Sequence, residues 1–112
     1  MRKDDTIRLR HMADAASEAL GFAKTAHRRD LDSDRKLVLA LVKDVEILWE
    51  AACRISPETR DTFPDLPWED MVGMRHRLVH AYFDINLDIL WRTVEADLPP
   101  LLAQLQEILE QA

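Results

Sequence analysis

Apolar positions recur along this chain in steps of three and four, in segments separated by short polar or proline-rich breaks. The clearest run is Leu37, Leu41, Val45, Leu48, Ala52 and Ile55, whose successive steps are 4, 4, 3, 4 and 3. That spacing puts all six on one helix face and predicts a helix from an N-cap at Ser33 to about Ile55. An earlier stripe of Ile7, Ala15, Ala19, Phe22 and Ala26 predicts a first helix that ends near His27, with Asp4 or Asp5 as its cap. Between the two, the run Arg28 to Asp34 breaks the pattern.

Ser56-Pro57 ends the second helix and opens a short turn through Arg60, with serine as cap and proline in the first turn. Phe63-Pro64-Asp65-Leu66-Pro67 is too rich in proline for regular structure. A third helix is expected from Pro67, with Trp68, Met71, Val72, Leu78 and Val79 as its apolar positions. A fourth is expected from Asp84 or Asn86, with Leu87, Leu90, Trp91, Val94 and Leu98 inward. Pro99-Pro100 opens a last one carrying Leu101, Leu105, Ile108 and Leu109. No segment reads as a strand. The expected architecture is all-α, an up-and-down bundle of four to five helices in a single domain over residues 1–112.

Composition agrees with that reading. Glycine occurs twice, β-branched residues are scarce, and 47% of the chain is hydrophobic, which argues against disorder. No apolar run reaches the ~20 residues that span a bilayer, and the N-terminus lacks the apolar core of a signal peptide. A soluble, cytoplasmic protein with no membrane contact is expected. The single cysteine, Cys53, is read as a small packing residue in the second helix. The net charge of −6 argues against broad electrostatic capture of nucleic acid, so any RNA contact must be local and no DNA binding is expected. Arg75, His76, Arg77 and His80 form the obvious local cluster. Arg28, Arg29, Arg35 and Lys36 are interspersed with aspartates and read as ordinary charged surface.

The stretch Gly73 to Tyr82 places an arginine, a histidine five residues later and a tyrosine two after that. It resembles the Arg-x(4–6)-His-x-Tyr motif of the HepT-like toxins of the HEPN superfamily. The likeness continues in Leu9–Met12, Glu46–Ala52, Ile55–Arg60, Pro64–Trp68 and Val94–Leu101, in the expected order and spacing. It covers nearly the whole chain. On an ideal helix Arg75 and His80 would diverge by about 140° and ~7.5 Å along the axis. The resemblance implies instead that the pair lies near the end of its helix and converges there.

Chemistry gives the pair a purpose. Scission of RNA by internal attack needs one group to take the 2′-hydroxyl proton and another to stabilise charge on the phosphorane. Histidine titrates near neutrality and suits the first task; arginine offers fixed charge and a donor fork for the second. No metal or cofactor is required of this chain. His76 stands where the family more often carries asparagine and is a candidate auxiliary phosphate contact. His76 and His80 are also spaced i and i+4, but no third metal ligand of obvious spacing accompanies them. Glu50 matches a position commonly acidic in relatives and is a candidate to orient Arg75, with a solvated surface carboxylate as the alternative. Trp49 departs from the small residue of the family pattern, which puts close helix packing there in doubt.

Tyr82 has two readings. Its ring can simply pack. The resemblance implies that its hydroxyl accepts AMP from a partner nucleotidyltransferase antitoxin of the MntA type, which would use ATP and Mg²⁺ of its own. With one Arg–His pair per chain, the resemblance also implies a homodimer that shares a cleft. Trp49, Phe63, Trp68 and Phe83 are more large apolar surface than so small a bundle readily encloses, which points the same way. The leading expectation is a metal-independent endoribonuclease toxin. The alternative is a non-catalytic, nucleotide- or partner-binding subunit of a nucleotidyltransferase complex, which the acidic charge favours. A helical interaction module whose motif has lost activity is a third reading.

Overall fold

The computed structural model describes residues 1–81 and 84–111; Tyr82 and Phe83, and the side chains of His80 and Ala81, lie outside the described residues. Helix α1 runs from Lys3 to Ala23 and α2 from Arg35 to Cys53, joined by a short 3-10 turn at Arg28–Asp32. Then come α3 (Pro57–Thr62), α4 (Trp68–Leu78), α5 (Leu87–Arg92) and α6 (Leu98–Gln111). Helix α1 packs between α2 and α6, and α2 packs in turn on α4. The all-α bundle expected from the periodicity is what forms. None of the described helices is long and apolar enough to cross a membrane.

Local signals placed several boundaries well. Ser56 caps α3, accepting from the Thr59 amide at 3.3 Å, with Pro57 in the first turn. Asn86 caps α5 through the Ile89 amide at 3.0 Å. Others differ. Asp34, not Ser33, caps α2, accepting from Leu37 N at 3.1 Å. Asp4 and Asp5 are not caps but sit in the first turn of α1, which ends at Ala23 rather than near His27. The buried stripe of α1 is Asp5, Leu9, Met12, Ala16 and Ala19, whereas Ile7 and Phe22 are 44% and 46% exposed. Those two large apolar residues belong to the outer surface. Cys53 is exposed rather than packed.

Two further departures matter. The proline pair does not begin a separate helix. Helix α5 passes through a π-helical turn, Thr93–Asp97, directly into α6. Pro99 and Pro100 bring no N–H to the carbonyls one turn earlier, and the widened turn is where the helix absorbs that loss. The chain also contains extended structure: β1 (Val79–Ala81) pairs antiparallel with β2 (Asp84–Ile85). Asn86 N donates to Leu78 O at 2.9 Å and continues that ladder toward α4. The hairpin is local and leaves the fold class unchanged. Of the aromatics expected to be in surplus, Trp68 is buried and Trp49 and Phe63 are half-buried, while Phe83 lies outside the described residues. Among the described residues the exposed large apolar side chains are Met1, Ile7, Phe22 and Leu39.

A buried polar knot ties α1 to α3. The Asp5 carboxylate, 1% exposed, accepts from Ser56 Oγ at 2.5 Å, Thr59 Oγ1 at 2.7 Å and Ser56 N at 3.1 Å. Burial alone would raise this carboxyl, but the Ser56 and Thr59 hydrogen bonds, with the Arg2 charge, outweigh it and hold it below its ordinary value.

Candidate active site

Helix α4 carries the motif arginine. Glu69 and Asp70 stand in its first turn and Arg75, His76 and Arg77 in its last, the charge order that a helix dipole favours. At Val79 the backbone turns extended, with φ −121° and ψ 108°. Arg75 therefore sits in the final turn, and His80 lies beyond it in β1. The 140° divergence of an ideal helix does not apply, because the helix that would impose it ends at Leu78. For the same reason His76 and His80 do not share a helix face, and the i, i+4 argument for a metal pair lapses. How closely the His80 ring approaches Arg75 lies outside the described residues, as does all of Tyr82.

Arg75 lines a cavity of about 360 Å³ between α2, α4 and β2. Helix α2 contributes Lys43, Glu46, Trp49 and Glu50, and β2 contributes Ile85. Leu39 and Val42 add apolar wall. Among the described residues the four ionisable groups of the lining balance, two cations against two carboxylates. The cavity's capacity for an anion rests on where the individual donors point.

The Arg75 guanidinium lies over the indole of Trp49, 5.6 Å from the ring centroid. Trp49 is itself anchored, its Nε1–H donating to the carbonyl oxygen of Val72, one turn before Arg75 on α4. Among the described residues no ion pair engages Arg75. Glu50, considered as a residue to orient Arg75, shares the cavity with it and makes no ion pair with it. Glu50 is exposed and also borders a second cavity of about 260 Å³ between α1 and α2, beside Arg8, His11 and Arg54. His76 is exposed and does not line the Arg75 cavity, since adjacent helix positions diverge by about 100°.

Of the expected site residues, then, the structure brings together Arg75 and Glu50 and leaves His76 on the flank. The contact that residue spacing missed is Trp49 with Arg75. Val42, Glu46, Trp49 and Glu50 do share helical spacing along the side of α2 that meets α4, but nothing local says which helix that side meets. Asp44, nearby on α2, is buried at 2% exposure, and its Oδ2 has no partner among the described residues. Burial, a hydrogen bond shared with Glu18 and the Glu18 charge push its carboxyl up to about 7.

Residues 12–108 match the family profile described as "Ribonuclease HepT-like". A probable ribonuclease HepT of Thermococcus cleftensis is 30% identical over 108 residues, covering 96% of this chain and 98% of that protein. A candidate RNase of Caldanaerobacter subterraneus subsp. tengcongensis is 32% identical over 103 residues, 92% of each chain. Another, of Methanocaldococcus jannaschii, is 29% identical over 105 residues, 94% of this chain and 96% of its own. No solved structure matches the chain significantly.

Proposed function

This chain belongs to the ribonuclease HepT-like family, which places it among the ribonucleases, and from that premise we propose that it is a toxin that cleaves RNA internally without a metal ion. Arg75 binds the scissile phosphate and stabilises its developing charge. His80 takes the proton from the 2′-hydroxyl as that oxygen attacks phosphorus. The P–O5′ bond breaks, and the products are a 2′,3′-cyclic phosphate and a 5′-hydroxyl after the leaving oxygen gains a proton.

The observation that carries this reading is the placement of Arg75. It stands in the last turn of α4, facing a cavity, with no ion-pair partner among the described residues. His80 follows at once in β1. Transfer in both directions benefits from two proton carriers, and a two-fold dimer supplies a second His80 to the same cleft. An acidic chain engages RNA locally, at the cavity that Arg75 lines, rather than along a basic face.

Regulation in this proposal acts at Tyr82, two residues beyond His80. An MntA-type nucleotidyltransferase antitoxin transfers AMP from ATP to the tyrosine hydroxyl, and the added phosphodiester and purine block the phosphate site. Tyr82→Phe removes the acceptor, so intact-protein mass spectra after incubation with that enzyme, ATP and Mg²⁺ should show no AMP; full incorporation would move the acceptor elsewhere. For the activity itself, His80→Ala should abolish cleavage of RNA while keeping helix content and dimerisation. Normal cleavage by that variant would remove His80 from the mechanism. Absence of cleavage by the unmodified wild-type protein would favour the non-catalytic partner subunit.

A further inference from the structure

We infer that Trp49 is a positioning residue for Arg75, holding the guanidinium over the cavity through the face of its indole so that the N–H donors stay available to a substrate phosphate. This rests on reading the cavity as the RNA site. An exposed arginine at the end of a helix has several rotatable bonds, and a phosphate ligand gains from finding its fork already in place. A neighbouring carboxylate would fix it, but would occupy two donors, cancel the charge and repel the phosphate. Glu46 and Glu50 both line the cavity and are close enough to be the obvious candidates, yet neither pairs with Arg75.

The indole solves the problem differently. A ring attracts the cation through its quadrupole and, unlike a carboxylate, neither cancels its charge nor repels a phosphate. The centroid distance of 5.6 Å is within the range of that attraction. The ring is also held against the same helix that carries Arg75, because its own N–H donates to the Val72 carbonyl. Helix α2 thus reaches across to α4 with one side chain that both clamps the helix and sets its arginine. A small residue at position 49 could do neither.

The test compares Trp49→Phe, which keeps a ring but loses the N–H, with Trp49→Leu, which keeps apolar bulk but loses the ring. Each is assayed with a fluorescently labelled mixed-sequence RNA beside wild type and Arg75→Ala. The ring-retaining variant should stay within about threefold of wild type. The leucine variant should lose about 10- to 100-fold, mainly in kcat with KM little changed, because misplacing the fork weakens the transition state more than the ground state. Proton–nitrogen NMR of the Arg75 Nε–H gives a readout that altered packing would not imitate: an upfield ring-current shift in wild type and Trp49→Phe, absent in Trp49→Leu. Full activity in Trp49→Leu, equal losses in both variants, or an unshifted Arg75 resonance in wild type would each overturn the role of Trp49. Equal rates for wild type and Arg75→Ala would overturn the RNA reading itself, and the role of Trp49 with it.

Discussion

Two arginines in this bundle lie over two tryptophan rings at the same distance, Arg60 over Trp68 and Arg75 over Trp49, each 5.6 Å from the ring centroid. Their surroundings differ. Arg60 is half-buried, and its Nη2 donates to the carbonyls of Ala52 at 2.9 Å and Cys53 at 3.2 Å, closing the C-terminal end of α2. The indole beneath it donates to Phe63 O at 3.0 Å. Arg75 is exposed, faces a cavity and has no ion pair among the described residues. The same pair of side chains is a staple in one place and a presented cation in the other. Where the guanidinium donors go decides which, and sequence spacing carries no record of that.

The comparison breaks most visibly on the closed side, where polar groups are committed to one another. Asp5→Ala should cost about 2–4 kcal/mol, because it leaves the Ser56 and Thr59 hydroxyls buried without their acceptor. For a domain of this size each kcal/mol lowers Tm by roughly 4–8 °C, so a melt unchanged from wild type would show the knot to be dispensable. The Asp5 carboxyl is held below its ordinary 3.8, so its contribution is present above that value and is lost as pH falls through the lower, folded one. Next in size, Arg60→Ala should cost about 1–2 kcal/mol through the two freed carbonyls and the lost cation–π contact. Denaturant midpoints measure it, and a neutral result would mean that α2 ends well without its staple.

Asp44 gives the smallest effect and the opposite sign with pH. Its carboxyl is raised from 3.8 to about 7, so the neutral form is the one the fold prefers. The stability this contributes is complete below pH 3.8 and is lost as pH rises through about 7. Asp44→Asn should match wild type near pH 4 and exceed it above pH 7 by about 1 kcal/mol or less, since the exposed Glu18 can turn into water. Parallel stability curves for the two proteins across that window would show that burial and Glu18 do not raise the Asp44 carboxyl in solution.

Much of the fold was legible because its determinants are local. The period of α2 needed only its own residues, and Ser56-Pro57 and Asn86 announced their caps within four positions. Legibility failed where apolar character and burial part company: Ile7 and Phe22 completed a plausible stripe but face outward. It failed again at Pro99-Pro100, where a π-helical turn carries the helix through residues that read as a break. At the site, the motif picked out Arg75, but the end of α4 at Leu78 and the indole of Trp49 are tertiary facts. A helix pattern shows that α2 has a side bearing Glu46, Trp49 and Glu50; only the folded chain shows Arg75 lying across it.

The most direct measurement is a paired one: RNA cleavage and thermal melting of Arg75→Ala and Arg60→Ala beside wild type. Arg75→Ala should lose about 100- to 1,000-fold in turnover with a melt close to wild type, the scale of removing one donor to a developing oxyanion. Arg60→Ala should melt earlier yet, below that temperature, cleave RNA at the wild-type rate. Undiminished cleavage by Arg75→Ala, or an equal loss of turnover in both variants, would contradict the division between the open pair and the closed one.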